Sequence, residues 1–182
     1  MKDEIEIKMG RLTGKGCLEC RYTDKQGKDI LMKGNERVHI DLKTALNKLV
    51  CYMADITEQK EMDDYRWDEE YDSEHNSSLM YNMMVTGVEV KSGNGRTVTL
   101  MGSRALSTNH TLSIKTPPIG TDLTGETYAL CEDLDELVDN FFYECRLYIK
   151  EGKFGERMME IDFVDDDDPY AAEATDSTEP LE

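Results

Sequence analysis

The chain has 182 residues, of which 39 are Asp or Glu and 21 are Lys or Arg, for a formal net charge of −18. A hydrophobic share of 38% sits at the low edge of globular composition, which excludes wholesale disorder, and the length is enough to bury one core. A charge of −18 argues against a whole-surface electrostatic grip on nucleic acid or anionic lipid. The N-terminal stretch MKDEIEIKMG has no apolar h-region, and no run nears the ~18 apolar residues of a membrane span, so a cytoplasmic location without membrane contact is expected. The five cysteines (Cys17, Cys20, Cys51, Cys131, Cys145) are odd in number and scattered through apolar segments, which fits reduced thiols.

Taken in chain order, strand-like segments 5–12 and 17–22 flank Gly14-Lys15-Gly16, a hairpin signal, and the apolar segment 30–33 follows. Asp41-Leu42 opens a helix read through residue 56, with Leu42, Ala45, Leu46, Leu49 and Met53 on one face and Asp41 as N-cap. An acidic insert covers 55–78. A second hairpin pairs 85–92 with 96–102 around Gly93-Asn94-Gly95, and 112–115 follows it. Asp133-Leu134 opens a second helix with Leu134, Leu137, Val138, Phe141, Cys145 and Tyr148 on one face, closed by Lys150 and Gly152. The expected fold class is α+β: two βββα repeats (1–54 and 79–153) in one domain spanning 1–163, antiparallel sheet with helices packed on one face, and a disordered acidic C-terminal tail over 164–182. The other sheet face is then solvated or covered by a partner, and binding is sought there.

The negative charge is blocked. Residues 1–54 carry a net +3, 55–74 carry −8, 75–163 carry −5 and 164–182 carry −8. The strand-rich parts are therefore mildly basic, with the acidic insert and tail as appendages. Cys17-Leu-Glu-Cys20 has metal-knuckle spacing, but no second pair completes four ligands, and positions three apart on a strand point to opposite faces. No metal or cofactor is expected. No phosphate-binding glycine loop, zinc-protease motif or nucleophile elbow is present, so the expectation is a non-enzyme. Tyr65, Trp67 and Tyr71 stand among carboxylates in the insert, which reads either as a solvated connection or as an interaction segment with rings for anchoring.

Asp165, Asp166, Asp167 and Asp168, followed by Pro169-Tyr170, resemble the acidic tip of bacterial single-stranded-DNA-binding proteins, although twelve residues follow Tyr170 where that family ends on its aromatic. Met158 to Phe163 is similar to the peptide that docks on bacterial sliding clamps, with Met159, Ile161 and Phe163 at its apolar positions and Met158 where that motif has Gln. Both resemblances imply partner recruitment in replication or repair. Residues 38–46 and 147–153 give the chain a resemblance to small uncharacterised phage and prophage proteins of anaerobic gut bacteria. That resemblance implies a bacterial host cytoplasm and a role in genome replication, recombination or host interference.

Three readings of function follow. In the first, an accessory protein of DNA metabolism binds single-stranded nucleic acid on its open sheet face. Lys8, Arg11, Lys15, Arg21, Lys33, Lys91, Arg96 and Lys115 would contact the backbone and Tyr22 would stack on a base, while the acidic tail recruits partners. In the second, the acidic segments make the chain a protein-binding inhibitor or DNA mimic acting on a replication or defence enzyme. In the third it is a virion structural or assembly protein. A homodimer is compatible with each.

Overall fold

The computed structural model describes residues 5–93, 95–121 and 128–155. Two hairpins start the architecture. The first joins β1 (Glu6–Leu12) to β2 (Cys17–Thr23), and its turn ends on Gly16 at a φ of 75°, a left-handed conformation that glycine adopts without strain. The chain continues into β3 (Asp29–Arg37), then α1 (Ile40–Asn47) and α2 (Val50–Ile56). A single 3₁₀ turn (Lys60–Asp63) and α3 (Glu74–Met80) follow before the second hairpin, β4 (Met83–Gly93) with β5 (Gly95–Ala105). The short strands β6 (Thr111–Lys115) and β7 (Ile119–Gly120) lead to α4 (Cys131–Glu151).

All seven strands form one antiparallel sheet in the order β3-β2-β1-β4-β5-β6, with β7 also paired to β5. The two meanders therefore meet at a central seam between β1 and β4. That seam is only three residue pairs long: Met9 with Glu89, Gly10 with Val88, and Arg11 with Gly87. A Cβ on Gly87 would lie 2.6 Å from Cβ of Arg11 and 2.8 Å from the Gly10 carbonyl oxygen, so the two strands approach this closely only because residue 87 has no side chain.

The helices cross the seam. Helices α1 and α2 pack on β4, and α2 also reaches β5, whereas α4, which follows the second meander, packs on β1 and on α1. Their apolar faces meet the sheet in one core that includes Leu18, Leu42, Leu46, Val88, Leu100 and Phe141, all essentially inaccessible. Burial on this scale is the dominant stabilising contribution.

Two local expectations are corrected. The helix expected over 41–56 is two helices, because Leu49 donates to the Leu46 carbonyl three residues back and tightens the chain at Lys48-Leu49. The redirected α2 buries every residue from Val50 to Ala54 instead of one stripe. The N-cap of α1 is His39, whose Nδ1 accepts from the Asp41 amide at 3.2 Å; Asp41 itself lies in the first turn. It pairs there with Lys153, 2.5 Å away, and Lys153 also reaches Glu144 at 2.8 Å, tying the end of α4 to the start of α1. Gly152 ends α4 in the left-handed conformation, φ 64°.

The hydrogen bond from Lys153 holds the Asp41 carboxyl below its ordinary value. A carboxylate with a depressed folded-state pKa contributes stability above its unfolded pKa and loses it as pH falls through the folded value. The melting temperature should therefore drop on acidification below about pH 4, and Lys153→Met should flatten that drop in a thermal melt series. At the seam, Gly87→Ala should cost about 1–3 kcal/mol, read as a melting temperature lowered by roughly 3–10 °C.

Candidate nucleic-acid interface

The seam defines which side chains share a face. A Cβ on Gly10 would lie 3.0 Å from the Phe141 ring and 3.1 Å from the Cys145 sulfur, so Gly10 faces α4 and Arg11 faces away from the helices. The strand register carries that assignment across the sheet. One transverse row on the open face reads Lys33, Glu19, Arg11, Gly87, Met101, Lys115. The next reads Leu31, Arg21, Met9, Glu89, Thr99.

Six of the nine residues expected to bind nucleic acid lie on this face: Lys8, Arg11, Arg21, Lys33, Lys91 and Lys115. The face is not uniformly basic. Arg11 pairs with Glu19 at 2.8 Å, Lys8 with Asp29 at 2.7 Å, and Lys115 approaches Glu89 at 3.7 Å. The Lys8 ammonium holds the Asp29 carboxyl below its usual value. The Lys8–Asp29 pair is exposed on both sides and holds its cation weakly, so a phosphate can compete for Lys8; Glu19 is buried, and its pairing keeps Arg11 more firmly engaged.

Three expectations are corrected, two by strand alternation and one by position in a turn. Tyr22 is next to Arg21 on β2, so it points to the helix side, where it packs against the core beside Ile7 and Ile30 and cannot stack on a base at the open face. Arg96 also turns to the helix side, 2.6 Å from Asp139 of α4 and 3.1 Å from Asp135, the second contact being an ion pair without hydrogen-bond alignment. Lys15 sits at the exposed turn of the first hairpin, away from the face. Cys17 and Cys20 point to opposite sides of β2: the Cys17 thiol bonds the Asn35 carbonyl oxygen, and Cys20 enters the core against Cys145.

The strongest convergence is beside the seam. A bulge at Lys8 shifts the β1 register between Ile7 and Met9, and β1 stops pairing with β4 before Met9 while β4 continues to Gly93. A bulge bends its strand and raises the local twist. The strands splay and leave a cleft of about 460 Å³ between the two meanders. Lys8 and Arg21 line it from the first meander; Lys91 and Arg96 from the second; Arg146 reaches it from α4. Glu6, Glu89 and Asp139 are its carboxylates. Arg21, Lys91 and Arg146 make no ion pair among the described residues. Arg146 was not among the expected residues; its only sequence signal is a position on α4 four residues after Phe142, which lines the same cleft.

The acidic insert is folded, not a solvated connection. Asn76 is fully buried and holds it together, donating from Nδ2 to the carbonyl oxygens of Arg66 (2.9 Å) and Glu70 (3.0 Å) and accepting from the Arg66 amide at 3.1 Å. Ser73 caps α3 through the Asn76 amide. Arg104 of β5 forks onto Glu61 and donates to Gln59, and the Tyr128 hydroxyl donates to Asp55. Tyr65, Trp67 and Tyr71 line a pocket against α2, with Trp67 43% exposed. Met159, Ile161, Phe163, Asp165, Asp166, Asp167, Asp168 and Tyr170 lie outside the described residues, as does the tail.

Among the described residues no helix is long and apolar enough to cross a membrane, and no group of His, Cys, Asp or Glu is placed to hold a metal ion. No protein-family model, curated protein or solved structure matches the chain.

Replacing Asn76 by Ala strands buried backbone groups, each worth about 1–3 kcal/mol when left unsatisfied. The expected result is a loss of about 2–3 kcal/mol in denaturant unfolding, with Trp67 emission moving to the red as the insert loosens. Asn76→Asp keeps an acceptor but loses both donated bonds, and should fare no better.

Proposed function

We propose that the chain binds single-stranded nucleic acid, with the phosphates held in the cleft beside the β1–β4 seam and the strand continuing over the open face towards Arg11 and Lys33. The observation that carries this reading is the convergence of five cations from both meanders and α4 on one solvent-open cleft, three of them without an ion-pair partner among the described residues. Such a site attracts phosphate through charge, and its size falls in the range of pockets that take one nucleotide-sized group. No described aromatic lies on the open face, and Phe142 in the cleft wall is buried, so the binding would be led by the backbone, weakly dependent on sequence and strongly dependent on salt. The chain acts in this reading as an accessory of DNA metabolism, and its acidic segment beyond Phe163 competes for the cleft or recruits a partner.

The test is fluorescence anisotropy of a labelled oligothymidylate at low salt, with the full chain, a chain ending at Phe163, and the double variant Arg21→Glu/Lys91→Glu. Binding by the wild type, weakened more than ten-fold in the double variant, is expected. Neutralising the same positions (Arg21→Gln/Lys91→Gln) should lower the slope of log K against log salt by about 1–1.5, the loss of two single-strand phosphate contacts. If neither the full nor the shortened chain binds, or the double variant binds as tightly as the wild type, the proposal fails. Binding of a basic host protein through the acidic insert, without nucleic acid, would favour the inhibitor reading instead.

A further inference from the structure

The insert builds a second concave site, unrelated to the cationic cleft in place and in chemistry. Between α2, the 66–71 loop and Leu137 of α4 lies a pocket of about 410 Å³. Its walls are aromatic: Tyr52, Tyr65, Trp67 and Tyr71. The Trp67 ring makes T-shaped contacts with Tyr52, at 5.4 Å between centroids, and with Tyr65, at 4.9 Å, with interplanar angles of 69° and 68°. Asp68, Glu69 and Glu70 add carboxylates to the lining; Glu69 pairs with Arg66, while Asp68 and Glu70 have no ion-pair partner among the described residues.

Three properties select the ligand class. Ring faces carry negative electrostatic potential, so rings lining a concavity together attract a cation. The unpaired rim carboxylates add to that field and repel anions. The field already holds an ammonium group of the chain itself, with Lys48 Nζ 5.7 Å from the centroid of Tyr71. The tyrosine phenols are neutral at physiological pH, so these walls add no anionic charge of their own.

A bare ammonium is strongly hydrated and gives up water reluctantly; an alkylated ammonium keeps its charge but presents methyl groups that fit against rings. We infer that this aromatic pocket binds a quaternary or methylated ammonium group, with Trp67 and Tyr71 as its principal contacts and Asp68 and Glu70 as the counter-charge. The same chemistry is carried by a free choline-type headgroup and by a trimethylated lysine side chain. Lys48 would be the internal cation that such a ligand displaces from Tyr71.

Trp67 is the only tryptophan in the chain, so its emission reports the pocket directly in the full-length protein. Titration with choline should give a saturable change in Trp67 fluorescence, and the uncharged isostere 3,3-dimethylbutanol should not. A peptide bearing trimethyllysine, compared with its unmethylated form, distinguishes the two sources: the tighter ligand identifies the class of partner. Tyr71→Leu should weaken binding about five-fold, the loss of one ring–cation contact. Lys48→Met removes the competing ammonium and should tighten it several-fold. Trp67→Phe keeps a ring in place; followed by calorimetry, it should retain weakened binding. The inference is overturned if neither cation gives a saturable response in folded protein, if dimethylbutanol binds as well as choline, or if Tyr71→Leu folds normally and binds unchanged.

Discussion

Three residue pairs hold the two meanders together, and the rest of the molecule is arranged around them. Gly10 and Gly87 lie in this seam, one making room for Phe141 and Cys145 beneath the sheet and the other allowing Arg11 to close on β4. Along the six-strand path the pairing is thus shortest at the middle of the sheet. The missing ladder is made up by helices that reach across: α1 and α2 lie over β4, and α4 lies over β1. The early end of the seam is also what opens the cationic cleft, since the same bulge that frees β1 from β4 brings Lys8 and Arg21 opposite Lys91.

Charge in this molecule is organised by folding more than by composition. The mildly basic meanders place cations on the open face but neutralise several of them locally, as with Arg11 against Glu19 and Lys8 against Asp29. The strongly acidic insert is not a loose tether. A neutral amide, Asn76, satisfies its backbone, and Arg104 fastens its start to β5. Carboxylates on an ordered segment act at fixed positions, and here they stand at the rim of an aromatic pocket.

Much of the fold was legible from periodicity. Both glycine-flanked hairpins, the apolar stripe of α1 and that of α4 emerge from spacing alone, because a buried face imposes its period on the sequence. What spacing does not convey is which face a strand residue takes once a bulge intervenes. Arg21 and Tyr22 are adjacent on β2 and must diverge, so only one of them could serve an open face; the same alternation in the second hairpin separates Lys91 from Arg96. The role of Asn76 was hidden because its partners are backbone groups, which leave no mark on the sequence. Arg146 was hidden for a different reason: its cleft is assembled from three elements distant in the chain.

The crossing of the helices has a further consequence. Each meander is roofed chiefly by a helix belonging to the other, so neither half encloses a core of its own. A cut between the two halves would leave each meander without its roof, so the fragments are expected to fold only when mixed. The two halves are interlocked pieces around one shared core.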